Sequence, residues 1–257
     1  MKKIHYLFFA FIGLTILSCQ KVIDINLNKA DPKVVIEGYI TEGDSLQTVS
    51  ITRTLNFDET VAYPAVTDAV VIVTDNLGNS ATFTHAGNGV YTLSNFPGIA
   101  GRTYTLSVTV DGKNYTAQST MPTPVVMSDL QVSLLPFGQD TFKLVVPVYN
   151  DPGNVANYYA FHLFKNGEKQ GQFSLQDDQF TNGNTSLQPL FIDELELGDT
   201  IKVDMFGIEK KVWQYFNQLS VNTSNGTTPA NPTSNFEGGC MGVFSAQTAN
   251  TRTIVYQ

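Results

Sequence analysis

The sequence predicts an all-β protein made of two immunoglobulin-like β-sandwich domains, the second of which carries one packed helix. Short runs of β-branched and aromatic residues alternate with polar residues, and turns rich in Gly and Asn separate these runs. Only one segment has helical periodicity. Because the predicted strands follow one another without intervening helices, a sandwich is favoured over a parallel sheet with crossover helices.

The first predicted sandwich covers residues 32–122. Its clearest strands are Val34–Ile40 and Thr103–Val110. Gly87-Asn88-Gly89 and Asp111-Gly112 supply the positive φ angles that tight hairpins need. Pro122 and Pro124 then remove two backbone donors, so we place the domain boundary between residues 122 and 125.

The second predicted sandwich covers residues 125–257. Asn166-Gly167 is predicted to be a hairpin turn between two of its strands. Ile208, Val212, Tyr215, Phe216 and Leu219 recur at helical spacing, which predicts a helix over residues 208–221. A loop rich in Asn, Ser and Thr follows, and the chain then returns through Gly238 to a terminal strand over residues 251–256.

Residues 1–18 are predicted to be a lipoprotein signal peptide. Lys2 and Lys3 precede the apolar run Ile4–Leu17, which is shorter than the about 20 residues that a membrane-spanning helix needs. The run ends in Ile16-Leu17-Ser18-Cys19, which resembles the lipobox of bacterial lipoproteins. We expect cleavage before Cys19, acylation of its thiol, and attachment to the lipid bilayer through a tether over residues 19–31.

The residue after the cysteine bears on the destination of the protein. In the sorting rule for lipoproteins, aspartate at this position retains a protein in the inner membrane, so Gln20 favours the outer membrane. Whether the domain lies on the periplasmic or the surface-exposed face stays open.

Charge and cysteine content exclude several classes of protein. Without Lys2 and Lys3, 13 basic residues stand against 23 acidic ones, a net charge of −10, and no basic cluster remains. This argues against nucleic-acid binding. With Cys19 lipidated, Cys240 has no partner for a disulfide, and we expect a small buried hydrophobic side chain there instead of a reactive thiol.

The sequence predicts no catalytic, cofactor or metal site. His85 and His162 lie inside predicted strands, and no hydrolase, zinc-protease or phosphate-binding motif occurs. Two groups of carboxylates are open to two interpretations, calcium ligation or a glycosidase pair on one side and solvated loops on the other. These groups are Asp177-Asp178 and Asp193-Glu194-Glu196.

Two end motifs resemble those of a lipoprotein family of unknown function found in Bacteroidetes-type bacteria. They are Cys19-Gln-Lys-Val-Ile-Asp-Ile followed by Pro32–Ile40, and the segment Asn231–Ala246. Members of that family are typically encoded beside TonB-dependent outer-membrane receptors. The resemblance therefore implies a non-enzymatic accessory or substrate-capture subunit of a TonB-dependent nutrient uptake system. The alternative is a stand-alone adhesin or glycan-binding lipoprotein with a surface row of aromatic residues such as Tyr158 or Tyr159.

The second end motif contains the candidate partner-binding residues. It is either a contact loop for the receptor or a return strand whose glycines let it pack against the helix of Trp213. The candidates are Asn231, Pro232, Asn235, Gly238, Gly239 and Gly242.

Overall fold

The computed structural model describes residues 31–43, 46–56, 61–138, 140–224 and 230–257. The predicted signal peptide, Cys19 and residues 20–30 of the predicted tether lie outside the described residues. Residues Pro32–Gln257 form one compact unit.

The predicted all-β fold is confirmed, because strands dominate the described residues and one helix accompanies them. The strands of the first half are β1 (Val34–Thr41), β2 (Gln47–Arg53), β3 (Val70–Asp75), β4 (Ser80–Thr82), β5 (Thr84–Gly87), β6 (Val90–Leu93), β7 (Thr103–Val110) and β8 (Lys113–Thr120). The second half contains β9 (Met127–Phe137), β10 (Asp140–Asn150), β11 (Tyr158–Lys165), β12 (Glu168–Asp177), β13 (Thr185–Leu187), β14 (Leu190–Phe191), β15 (Thr200–Ile208), the helix α1 (Lys210–Ser224), β16 (Phe236–Glu237) and β17 (Met241–Val255).

These strands form three sheets. The largest has eight strands in the order β12-β11-β15-β17-β1-β2-β6-β5. A five-stranded sheet, β16-β8-β7-β3-β4, faces its β1-β2-β6 end, and a sheet made of β9, β10, β13 and β14 faces its β11-β15 end. The hairpin turns follow the predicted chemistry, since Asn88, Asp111 and Asn166 all have positive φ angles next to a glycine.

The long strand β17 joins the two halves. Its first part, Met241–Gln247, pairs in parallel with β1, and its second part, Thr248–Val255, pairs antiparallel with β15. The parallel pairing joins residues some 200 positions apart in the chain, from Val35 with Met241 to Thr41 with Gln247. One continuous sheet therefore runs through both predicted sandwiches.

Each half has its own hydrophobic core. The first contains Ile36, Val49, Leu106 and Tyr104, and it also includes Phe236, Cys240, Phe244 and Ala246. The second is built from residues between Met127 and Met205, among them Tyr149, Tyr159 and Phe161. The structure thus differs from the predicted assignment of all of 125–257 to the second sandwich, because the chain from Phe236 to Ala246 returns to complete the first core.

The helix α1 covers the outer surface of the eight-stranded sheet. Val212 and Tyr215 are buried against Ala160, Ile208 and Val243, and Phe216 packs its ring 4.8 Å from that of Phe173. The observed helix starts two residues later than predicted, because Ile208 still pairs with Tyr158 as the last residue of β15. The apolar stripe that predicted the helix is the surface that it buries.

Candidate functional site

Asn235, in the candidate partner-binding segment, completes the edge of β17. Its side-chain Nδ2 donates to the carbonyl of Phe244 at 2.7 Å, and its Oδ1 accepts from the N–H of Phe244 at 2.9 Å. The Asn235 amide therefore replaces one residue of a neighbouring strand. Ser234 adds a hydrogen bond from its hydroxyl to the carbonyl of Gly242 at 2.7 Å.

Two glycines of the segment lie where a side chain does not fit. At Gly242, with φ +104, a Cβ atom would lie 2.0 Å from the carbonyl oxygen of Ile36 in the adjacent strand. At Gly238, with φ +94, it would lie 2.8 Å from the carbonyl oxygen of Asn114. Gly239 has φ +81 and open space around it. The glycines at 238 and 242 thus permit close approach of strands within the first sandwich.

The remaining candidates lie nearer the surface. Asn231 is exposed and Pro232 is half-buried, while the next residue, Thr233, donates its N–H to Oε1 of Gln218 on α1 at 2.7 Å. The segment therefore contacts the helix at its start and the first core at its end. Receptor contact through this segment stays a prediction, and packing within the domain accounts for Asn235, Gly238 and Gly242 without it.

A different surface carries the most exposed large apolar side chains that share one face of a sheet. In antiparallel pairs, directly opposite residues point to the same side. Phe137 is opposite Asp140, Leu135 is opposite Phe142, Phe191 is opposite Leu144, and Leu187 is opposite Val148. We call the outward-pointing set Leu135, Phe137, Phe142, Leu187 and Phe191 the apolar face.

The five residues of the apolar face are exposed, with Phe137 71% and Phe191 73% exposed, whereas Leu144 and Val146 on the same side of β10 are buried. The residues that alternate with it along β10, Val145 and Tyr149, are fully buried in the second core. The signal that could have found it is the run Leu144–Val148, which is apolar at consecutive positions and so makes both sides of β10 apolar. Exposed apolar patches of this kind typically mark interaction surfaces.

Most of the apolar face lies at the far end of the domain from Pro32, while Leu187, opposite Val148, is level with the start of β9. β1, which follows Pro32, runs beside the first half of β17. β9 starts beside the second half of β17, where Arg252 Nε donates to the Met127 carbonyl at 2.6 Å. β9 then continues in the same direction as β17. Its residue Leu134 is opposite Lys143 on β10, and the Nζ of Lys143 lies 5.1 Å from the ring centre of Tyr256, which follows the end of β17. The β9–β10 tip therefore lies beyond the end of β17, whose 15 residues alone span about 45 Å.

A second cluster contains buried carboxylates. Asp151 and Asp178 are buried, and the Tyr159 hydroxyl donates to Oδ1 of Asp151 at 2.5 Å. Burial raises the pKa of Asp151, and the Asp178 carboxylate raises it further, against the lowering effect of the Tyr159 hydroxyl and the Gly183 amide. Asp177 is half-buried beside them, whereas Asp193, Glu194 and Glu196 are exposed in another loop. Within the described ranges, no group of three or more His, Cys, Asp or Glu side chains is placed to hold a metal ion.

The histidines and the free cysteine lie apart from this cluster. His85 is exposed on β5, with its ring centre 5.1 Å from that of Tyr91. His162 contacts the rings of Phe206 and Phe164, and burial, followed by the charge of Lys169, lowers its pKa to about 4. Cys240 is buried as expected, and burial raises the pKa of its thiol to about 11. A thiol with that pKa is a weak nucleophile at neutral pH.

Tyr158 and Tyr159, the aromatic residues expected in a glycan-binding surface, do not form an exposed row. Tyr159 is 1% exposed in the second core, and Tyr158 is half-buried with its ring 5.8 Å from that of Trp213. Among the described residues, no helix has the length and apolar character that crossing a membrane requires.

Two of the solved structures that match this chain are distant likenesses. A DUF4785 family protein from Legionella pneumophila is 14% identical, with 67% of this chain and 51% of that chain covered and a TM-score of 0.26. This chain thus spans about half the length of that protein. A cytokine receptor complex is 12% identical, with 69% and 85% covered and a TM-score of 0.26. Scores this low carry no argument about function.

Comparison with curated proteins finds no match. The family described as "Domain of unknown function (DUF4249)" matches residues 20–253, which is nearly all of the chain that follows the predicted lipidation site. The match covers both hydrophobic cores and, apart from Cys19, both end motifs. The chain therefore belongs to the DUF4249 family.

Proposed function

We propose that the protein is a lipid-anchored, non-enzymatic accessory subunit of a TonB-dependent nutrient uptake system, and that it contacts its receptor through the apolar face. The observation that carries the proposal is the exposure of Phe137, Phe191 and their neighbours on one side of an otherwise well-packed sheet. Exposure of large apolar side chains to water is unfavourable, and a partner that covers them lowers the free energy of the system.

The position of the apolar face supports a protein partner instead of the bilayer. The 13 residues from Cys19 to Asp31 can span at most about 45 Å, and they join the domain at Pro32. Most of the apolar face lies at the opposite end of the domain from Pro32. We therefore infer that a domain attached through Cys19 uses this face to contact neighbouring envelope proteins and not the lipid surface that holds the anchor.

The size of the apolar face fits a contact between two proteins that share a membrane. Phe137 and Phe191 each expose on the order of 150 Å² of side chain. The five residues together approach the largest patches usual on monomers, about 300–600 Å², and fall below the about 800 Å² per partner of a standard stable complex. The expected intrinsic affinity is therefore modest. Anchoring in the same membrane as the receptor raises the effective concentration and offsets this.

The test is affinity purification of the tagged lipoprotein from gently solubilised native membranes. Three versions are compared: the unchanged protein, the double variant Phe137→Ser/Phe191→Ser, and the control variant Leu77→Ser. Leu77 is 67% exposed in the β3–β4 turn, so its replacement changes surface hydrophobicity outside the apolar face.

We expect a TonB-dependent receptor to co-purify with the unchanged protein and with Leu77→Ser, and its recovery to fall at least about tenfold with the double variant. Absence of a receptor from the unchanged protein would contradict the proposed function. Equal recovery with all three versions would show that the contact lies elsewhere on the domain.

A further inference from the structure

Two oxygen-rich loops meet at one edge of the second sandwich. Residues 151–157 connect β10 to β11, and residues 178–184 connect β12 to β13. The N–H of Asp151 donates to the Asn184 carbonyl at 3.0 Å, and the N–H of Asn157 donates to Oδ2 of Asp178 at 2.9 Å. A third hydrogen bond, from the N–H of Asn154 to Oδ1 of Asn182, is 2.8 Å long. The two loops thus form one unit through contacts between their polar groups.

This unit encloses two carboxylates that are nine-tenths buried or more. Asp151 is 4% exposed and Asp178 is 8% exposed. None of the three ion pairs formed by the described residues includes either of them. Two like charges enclosed in a low-dielectric interior destabilise the fold unless a positive charge or a proton compensates them.

Two buried oxygens of the same unit lack hydrogen-bond partners among the described residues. One is Oδ2 of Asp151, whose other oxygen accepts from Tyr159. The second is Oγ1 of Thr181, in the facing loop. The N–H of Asp151 is hydrogen-bonded to the Asn184 carbonyl, so Asp151 lies against the loop that contains Thr181. Buried polar atoms in native proteins are almost always satisfied, so one unsatisfied oxygen on each loop of the unit that holds the two carboxylates points to a ligand.

We propose that the two loops bind a calcium ion, with Oδ2 of Asp151, the Asp178 carboxylate and Oγ1 of Thr181 as side-chain ligands. Carbonyl and amide oxygens of the same loops complete the shell. Oxygen ligands from irregular loops suit Ca²⁺, which accepts six to eight oxygens in flexible geometry. Zinc prefers His and Cys ligands, and neither residue occurs in these loops. Two carboxylates balance the double charge of the ion.

Calcium at this position would affect the edge of the apolar face. The loop 178–184 leads directly into β13, which contains Leu187 and pairs with β10 from Val148 to Asn150. A bound ion would fix that loop against Asp151 at the end of β10. The cation site rests on the two buried carboxylates and the unsatisfied oxygens, and it does not depend on the proposed receptor contact.

The test is a terbium titration of the full-length lipoprotein, purified in detergent and treated with a chelator. Tb³⁺ replaces Ca²⁺ at oxygen sites, and a nearby tyrosine sensitises its luminescence. Tyr159 is hydrogen-bonded to Asp151, so it stands next to the proposed ion. We expect saturable luminescence that Ca²⁺ displaces, with a Ca²⁺ dissociation constant on the order of 10⁻⁴–10⁻³ M.

Variants locate the site. Asp178→Asn and Thr181→Val should each weaken Tb³⁺ binding about tenfold or more, because each removes one ligand. The control Asp193→Asn, in an exposed loop, should bind as the unchanged protein does. Thr181→Val removes one hydroxyl and keeps the shape of the side chain, and circular dichroism checks that every variant is folded.

Three results would overturn the proposal. They are no saturable luminescence in the unchanged protein, luminescence that Ca²⁺ does not displace, and equal loss of binding in Asp193→Asn and Thr181→Val. The first result would indicate that a proton on Asp151, instead of a cation, compensates the buried pair.

Discussion

The Asn235 side chain forms two hydrogen bonds with the backbone of Phe244, one to its carbonyl at 2.7 Å and one from its N–H at 2.9 Å. Phe244 is fully buried in the first core and lies in the part of β17 that pairs in parallel with β1. The side-chain amide of Asn235 therefore fixes the segment that precedes β16 to β17, the strand that joins both halves of the domain.

Asn235→Ala should lower the free energy of unfolding by about 2–4 kcal/mol, because it leaves a buried N–H and a buried carbonyl of Phe244 without partners. Urea denaturation measures the change. Asn231→Ala is the matched control, since Asn231 is exposed and lies in the same segment, and its effect should stay within about 0.5 kcal/mol. An equal loss in both variants would mean that the amide of Asn235 is not the stabilising group.

Gly242→Ala and Gly239→Ala separate a steric clash from an unfavourable backbone angle. Both residues have positive φ angles, +104 and +81, but only at Gly242 does a Cβ meet a neighbouring backbone atom, the Ile36 carbonyl oxygen at 2.0 Å. Gly239→Ala should cost about 1 kcal/mol. Gly242→Ala should cost more than about 3 kcal/mol, because β1 and β17 must separate to accommodate the methyl group. Similar melting temperatures for the two variants would refute the close approach of these strands.

His162 should make the domain less stable in mild acid. Its pKa is lowered to about 4 in the fold, while the unfolded chain has the ordinary value of about 6.5. Between these values the unfolded state binds a proton that the folded state does not, so stability falls as the pH drops from about 6.5 to 4. His162→Phe keeps the ring contact with Phe206 and removes the titration.

The unchanged protein should therefore lose about 1–2 kcal/mol more than His162→Phe between pH 7 and pH 4.5, which is less than the full shift implies because His162 is only partly buried. Urea denaturation at both pH values measures this difference. His85→Phe is the control, since His85 is exposed on β5, and it should keep the pH dependence of the unchanged protein. Identical pH profiles for all three proteins would show that His162 titrates normally.

Local sequence signals predicted the hairpins and the helix, while contacts between distant residues could not be predicted. Asn166-Gly167 is sufficient for a hairpin because its backbone angles depend on those two residues. The helix was evident from the spacing of Val212, Tyr215 and Leu219. The parallel pairing of β1 with β17 has no local signature, so the return of Phe236–Ala246 to the first core was missed.

The candidate sites also combine features that local sequence signals predicted with features that depend on distant residues. Gly238 and Gly242 were recognised as special because glycine marks positions of unusual backbone geometry, but their packing partners, Asn114 and Ile36, lie far away in the chain. The apolar face was missed because a strand that is apolar on both sides usually lies in the interior of a protein. Only the sheet order shows that no other element among the described residues covers Phe137 and Phe191.

The predicted anchor at Cys19 is tested by mass spectrometry of the N-terminal peptide from native membranes. We expect the peptide to begin at Cys19 and to carry a diacylglyceryl thioether and an amide-linked acyl chain. Cys19→Ala should leave the precursor unprocessed and without acyl chains. A peptide that begins at Met1, or an unmodified Cys19, would contradict the envelope assignment.

The central claim is that the apolar face contacts a TonB-dependent receptor, and site-specific photo-crosslinking in intact cells tests it most directly. A photo-reactive phenylalanine analogue at Phe191, which is 73% exposed, should form one major adduct that contains the receptor. The same analogue at Leu77 should form no such adduct. Receptor adducts from Leu77 and none from Phe191, or no receptor adduct from either position, would contradict the claim.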